Sequence, residues 1–222
     1  MKAAVLNEQP GALEIEDLVV DNPGPGEVLV RVQGAGLCHS DLHYMEGIFR
    51  SKLPAVLGHE SAGIVEAIGE GVSYCKPGDH VICCLSIFCG QCKQCLSGHP
   101  YRCNNPAATS RPKGAPPRVS KHDGTPVDQF ARLGGFAEMM LVHQNALVKV
   151  VNEMPLDRAA LIGCGITTGM GAVFRTAKVP AGASVCVIGA GGIGLAAVQA
   201  ARIAGAVQVI VVDVSEIGRA HV

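Results

Sequence analysis

Hydrophobic and polar positions change rhythm after Cys164. Before it, apolar residues come in short runs broken by Gly and Pro. Glu27 to Val32 alternates apolar and polar behind the turn signal Pro23-Gly24-Pro25-Gly26, Gly63 to Ile68 and His80 to Leu85 are β-branched-rich runs, and Met139 to Val151 supplies two more. Many short, punctuated strands predict a β-rich domain. From Asn104 to Gln129 the chain turns to Pro, Arg, Lys, Ser and Asp without periodicity, which predicts a long surface loop with too little apolar content for core. Beyond Cys164, Ser184 to Ile188 reads as a buried strand, Gly189 to Gly194 as a glycine-rich turn and Ile193 to Ala204 as a small-residue helix ended by Gly205. A second strand, Val207 to Val212, ends in Asp213, completing the β-α-β crossover of a nucleotide fold.

Composition narrows the class of function. The 222 residues are 48% hydrophobic and 17% charged, enough for one good core and part of a second. A net charge of -1 without any Lys/Arg cluster argues against nucleic acid or an anionic membrane as partner, leaving small molecules. The opening Met1 to Glu8 turns acidic too soon for a signal peptide, and no run approaches membrane-spanning length. A reducing cytoplasm is expected, with the ten cysteines kept as thiols or metal ligands.

Four of those cysteines, Cys89, Cys92, Cys95 and Cys103, fall within fifteen residues as C-G-Q-C-K-Q-C-L-S-G-H-P-Y-R-C. Three cysteines this close cannot all pair with one another, whereas a tetrahedral zinc takes four thiolates at about 2.3 Å. Four ligands leave no open position, so this zinc would be structural. Gly189-Ala190-Gly191-Gly192-Ile193-Gly194 matches G-x-G-x-x-G between a strand and a helix, where glycines permit a tight turn, approach of a pyrophosphate and close helix packing. Asp213 lies 19 residues beyond Gly194, placed to accept from ribose hydroxyls and to repel a 2′-phosphate, which favours NAD over NADP. Further ligand-type residues cluster at Cys38-His39-Ser40-Asp41-Leu42-His43, at Gly58-His59-Glu60 and at Gly163-Cys164-Gly165. Two sulfurs and an imidazole would make an open Cys₂His zinc site, but a lone Cys or His more often packs, and spacing does not bring these three together.

These five segments, in their order along the chain from Gly36 to Gly194, resemble the zinc-binding alcohol dehydrogenases of the medium-chain dehydrogenase/reductase superfamily, over essentially Met1 to Glu216. The long loop before Gly134 is similar to the class that includes glutathione-dependent formaldehyde dehydrogenases. The resemblance implies a β-rich GroES-like catalytic domain over 1–165, with the zinc lobe at 89–103, and an incomplete α/β Rossmann domain over 166–216. It implies two zincs per subunit and NAD, with Cys38, His59 and Cys164 as catalytic zinc ligands, Glu60 as an alternative ligand and Asp41 orienting His59. Ser40 would take the proton of a zinc-bound alcohol and pass it through the nicotinamide ribose to His43 as hydride leaves for NAD. Thr168 would meet the nicotinamide, and His39 the pyrophosphate, where many members carry arginine. Cys75, Cys83, Cys84 and Cys186 are expected to pack, and His80, His99, His122 and His143 to have no role in the chemistry. The expected reaction is oxidation of a primary or secondary alcohol, or the reverse, by a homo-oligomer. S-(hydroxymethyl)glutathione oxidation and a non-catalytic zinc-binding fragment are the alternatives. A sheet of this kind has six strands, so the two seen here imply that its second half is missing. Ile217 to Val222 departs from the family pattern and resembles a translated sequencing adapter, a tail expected to be artefactual.

Overall fold

The computed structural model describes residues 1–215, and the adapter-like hexapeptide lies outside the described residues. The chain divides into two compact units, Met1–Gly163 and a second from Cys164 onward. The division falls just before the helix Gly165–Gly171 rather than at Gly165, because that helix packs on the later helix Gly192–Ile203. Among the described residues no helix is long and apolar enough to cross a membrane.

The first unit contains β1 (Lys2–Leu6), β2 (Leu13–Asp17), β3 (Val19–Val20), β4 (Glu27–Gly36), α1 (His39–Met45), β5 (Ala55–Val56), β6 (Glu60–Ile68) and β7 (His80–Cys83). It continues with α2 (Lys93–Leu96), β8 (Val119–Ser120), β9 (Asp128–Gln129), β10 (Met139–His143), β11 (Leu147–Val150) and α3 (Leu156–Ala159). A five-stranded antiparallel sheet runs β10-β4-β6-β7-β11, and a four-stranded sheet runs β2-β1-β5-β9. Alternation on β4 turns Val28 and Val30 inward against Val65, Val81, Cys83, Met140 and Val142, the main core. The sequence pattern missed β1 and β2, five-residue strands on either side of the Pro10-Gly11 turn: β1 is, after Lys2, a run of apolar residues without alternation, and the alternation of β2 covers only Leu13 to Glu16.

Two strand ends were also read too short. β4 runs on to Gly36 and β6 begins at Glu60, because Gly34, Ala35 and Gly36 pair with Ala62, Ser61 and Glu60 beyond a bulge. That extension puts Cys38, two residues past the end of β4, beside His59, one residue before β6.

In the second unit α4 (Gly165–Gly171), β12 (Ser184–Ile188), α5 (Gly192–Ile203) and β13 (Gln208–Val212) form the expected parallel β-α-β, with Ser184 to Ile188 in register with Gln208 to Val212. A Cβ on Gly169 would run into the backbone oxygen of Ile193, so glycine sets the α4–α5 approach. Cys186 was expected to pack, but it is exposed, since alternation on β12 turns it outward with Ile188.

The loop 104–129 is irregular as expected, yet not devoid of core: Val119 and Val127 are buried. Its anchor is electrostatic. Buried Glu27 accepts from Arg111 Nη2 at 2.7 Å, Arg118 Nε at 2.6 Å and the Gly24 N–H at 2.9 Å, while Arg111 Nη1 reaches Asp21 at 2.6 Å. Burial alone would raise the Glu27 carboxyl, but the two guanidinium groups outweigh it and hold it below the usual carboxylate range. A lowered folded-state pKa stabilises above the unfolded value of about 4.3 and loses that contribution as pH falls through the folded value. Glu27→Gln should therefore cost about 3 kcal/mol in urea unfolding at pH 7, by leaving two half-buried cations underpaired. The deficit should shrink in acid; equal stability of variant and parent at neutral pH would show that the cluster does not hold the loop.

Candidate metal centres and nucleotide turn

The cysteine lobe closes on itself. Ligand sulfurs of Cys89, Cys92, Cys95 and Cys103 lie within 4.8 Å of one another. Sulfurs around a tetrahedral zinc, each about 2.3 Å from it, sit about 3.8 Å apart. The separations Cys89–Cys95 at 3.9 Å, Cys92–Cys95 at 3.4 Å and Cys92–Cys103 at 3.9 Å match that scale. Backbone does part of the work: the Cys92 N–H donates to Cys89 Sγ and the Cys89 N–H to Cys103 Sγ, each at 3.3 Å. N–H groups at Cys95 and Asn104 draw the Cys92 thiol down to about 6. Burial, with Cys92 beside it, pushes Cys95 up to about 11. Thiolates this close repel one another, so a divalent metal is the natural complement of the four-sulfur set.

The second centre grows from the paired strand ends. Cys38 caps α1 in extended conformation, and its N–H donates to Asp41 Oδ2 at 3.1 Å. Asp41 Oδ1 accepts from the Gly58 N–H at 3.2 Å and stands 3.3 Å from His59 Nδ1, without full hydrogen-bond alignment. Asp41, His59 and Glu60 are all buried. Cys38, His59 and Glu60 each offer a ligand atom within 4.8 Å of the others. The Ser40 hydroxyl sits 3.2 Å from Cys38 Sγ. Burial works to raise the Cys38 thiol, but Ser40 and His59 hold it below its ordinary value. Burial likewise works to lower His59, and the carboxylate of Asp41, with Cys38, keeps it above the usual imidazole range.

Gly58 makes the corner possible. Its φ of +88° is left-handed, and a Cβ there would press on the Phe136 ring and backbone. Phe130, which sequence reasoning passed over, sets its ring edge-on to His59 at 5.4 Å between centroids. No sequence motif marks it, because the loop that carries it has no periodicity.

The remaining expected residues are placed as follows. His43 is half-buried on α1, its ring edge-on to His39 at 4.7 Å and to Phe49 at 5.2 Å, and His39 is exposed. Cys164 begins the second unit as the residue capping α4, where its carbonyl accepts the Thr168 N–H at 2.8 Å, and Thr168 is exposed. At the glycine turn, Gly189 has φ +99°, and Gly191 and Gly192 face open space at the start of α5. A Cβ on Gly194 would collide with the Gly189 carbonyl, and Ile193 is half-exposed beside it. Asp213 Oδ2 accepts the Ala190 N–H at 2.6 Å, so the carboxylate is fixed at the lip of the turn. Exposed N–H groups at a helix start favour a phosphate, and the carboxylate beyond favours hydroxyls.

Known proteins resemble this chain over nearly its whole length. The alcohol dehydrogenase GroES-like domain model matches residues 24–152. The NDMA-dependent alcohol dehydrogenase of Amycolatopsis methanolica is 42% identical over 214 residues, covering 96% of this chain and 57% of that protein. The S-(hydroxymethyl)glutathione dehydrogenase of Paracoccus denitrificans is 40% identical over 220 residues, covering 97% of this chain and 58% of that protein. The crystal structure of an alcohol dehydrogenase zinc-binding domain protein from Burkholderia ambifaria superposes with a TM-score of 0.91 at 38% identity, covering 99% of this chain and 60% of that one. The chain thus spans under three fifths of the length of the two relatives.

The lobe makes a pH-dependent prediction. In chelator-stripped protein, iodoacetamide labelling should rise with an inflection near pH 6 from Cys92, while Cys83, pushed up to about 12 by burial, stays unlabelled until unfolding. Added zinc should protect the lobe. An inflection only at the ordinary thiol value, about 8.5, would contradict the environment described for Cys92.

Proposed function

The chain belongs to the alcohol dehydrogenase family with a GroES-like domain, and from that premise we propose that it forms the metal- and cofactor-binding part of a zinc-dependent, NAD-linked alcohol dehydrogenase. The observation that carries this reading is the meeting of half-buried Cys38 with buried His59 and Glu60 beside Asp41, a set separate from the four-cysteine lobe and of the donor types that hold a catalytic zinc. Cys164 is the further thiolate in this reading. Zinc held there would supply Lewis acidity to an alcohol oxygen.

The chain's own residues do the rest. Asp41 fixes the His59 ring and helps to present it to a metal. Ser40, its hydroxyl against Cys38 Sγ, is the first acceptor of the alcohol proton, and His43, on the same helix, is the group that hands it to solvent. The open glycine turn takes the pyrophosphate, assisted by His39, Thr168 meets the nicotinamide, and Asp213 takes the adenosine ribose. The four-cysteine lobe holds a second, structural zinc.

Metal analysis tests the reading directly. Protein purified without chelator should hold two equivalents of zinc; Cys38→Ala and Cys95→Ala should each hold one, and the double variant none. A parent with one zinc, unchanged by Cys38→Ala, would reduce the second centre to packing. For the cofactor, NADH should bind in preference to NADPH, and Asp213→Gly should erase most of that preference, on the order of tenfold. Preference for NADPH in the parent would overturn the role of Asp213.

A further inference from the structure

Away from both metal centres, the first unit carries a groove of about 330 Å³ between the loop around Ser110 to Arg118 and the segment Pro126 to Arg132. Four prolines stiffen its walls, at positions 112, 116, 117 and 126. Its charged groups are Lys52, Arg111, Arg118, Asp128 and Arg132. Arg111 and Arg118 are already neutralised by Asp21 and Glu27 at 2.6 to 2.7 Å. Asp128 offsets the exposed Lys52. Arg132 is the surplus charge.

No carboxylate answers it: among the described residues none stands within ion-pair distance of Arg132, and the anionic group that acts on it is the Cys103 thiol of the lobe. Its Nη1 donates to Thr109 Oγ1 at 2.7 Å and its Nη2 to the Ile87 carbonyl at 3.4 Å, both neutral acceptors. A guanidinium has five N–H donors, so about three remain for a ligand. Burial and the neighbouring Arg118 press its pKa down, and the Cys103 thiol opposes them. The backbone adds an independent sign. Ala131 and Arg132 both sit left-handed, at φ +54° and +60°, a conformation that costs a non-glycine residue about 1 kcal/mol or more. An arginine is held where glycine would be unstrained, with its head fixed by two hydrogen bonds.

We propose that this groove is a binding site for a small organic anion, a carboxylate or a phosphate monoester, gripped by Arg132 with Lys52 at the entrance. The planar fork suits either oxyanion. Two sources share that chemistry: a separate anionic effector, or the charged end of the substrate itself. The second source rests on the alcohol dehydrogenase reading, and has one structural support. Phe130, two residues before Arg132, lies edge-on to His59, so the same short turn touches the metal centre and the groove.

The test is calorimetric titration of the full, zinc-loaded chain with inorganic phosphate and with phenyl phosphate. Binding should weaken at least tenfold in Arg132→Gln and about threefold in Lys52→Gln, and should fall with added salt. Lys52 is exposed, so its variant reports on the groove even if Arg132→Gln disturbs the fold, which circular dichroism and zinc content monitor. Phosphate binding left intact by both variants would belong to the glycine turn and would overturn the proposal. Loss of lobe zinc in Arg132→Gln with unaltered phosphate binding would also overturn it, making Arg132 a counter-charge to the cysteines. A kinetic arm separates the sources. If the substrate's own end occupies the groove, Arg132→Gln should lower kcat/KM for 4-(hydroxymethyl)benzoate about tenfold and leave benzyl alcohol unchanged. An unchanged ratio alongside Arg132-dependent phosphate binding assigns the site to a separate anion. The kinetic arm is run on a version of the chain as long as its relatives; absence of turnover there would count against the dehydrogenase reading alone, since the titration does not depend on it.

Discussion

The buried carboxylate of Asp41 joins two segments that the sheet alone would only bring near each other. One oxygen takes the Cys38 N–H, and the other takes the Gly58 N–H and faces the His59 ring. Both loops leave from paired ends of β4 and β6, so strand register delivers them and the carboxylate fixes their separation. A metal ligand needs its partner atoms held to a few tenths of an ångström, which backbone pairing by itself does not provide. Removing Asp41 would leave the Cys38 and Gly58 N–H groups unpaired and the buried His59 imidazole unsteadied.

Much of this was legible in the sequence, for reasons that differ by element. The cysteine lobe is local: its ligands lie so close along the chain that spacing predicts geometry, and the sulfurs do converge. The glycine turn and Asp213 are legible because one β-α-β unit contains them, and its two strands pair in register. Cys38 and His59 needed more. Their meeting depends on β4 and β6 extending past a bulge, which no alternation signals, and resemblance to a family supplied what periodicity could not. β1 and β2 escaped notice because each is only five residues long, β1 without alternation and β2 with too few repeats of it to stand out from irregular chain.

The loop 104–129 shows the opposite limit. Low apolar content predicted an idle surface segment, yet Arg111 and Arg118 converge on a buried carboxylate some eighty to ninety residues away in sequence. Charged anchors carry no period and no spacing rule, so sequence reasoning sees only polarity. The same blindness hid Phe130 and Arg132, whose placement depends on a left-handed turn between non-glycine residues.

The candidate metal centre in the first unit is also shaped by atoms that are not there. A side chain on Gly36 would strike the Glu60 carboxylate and Leu161, one on Gly58 would strike Phe136, and one on Gly163 would strike the Cys83 carbonyl near that of His59. None of the three can bind metal or move a proton. A map of inactivating substitutions would nevertheless darken at all three, and conservative alanines would score as badly as charge reversals. Read without the structure, such a map would enlarge the apparent ligand set by residues whose whole contribution is vacancy.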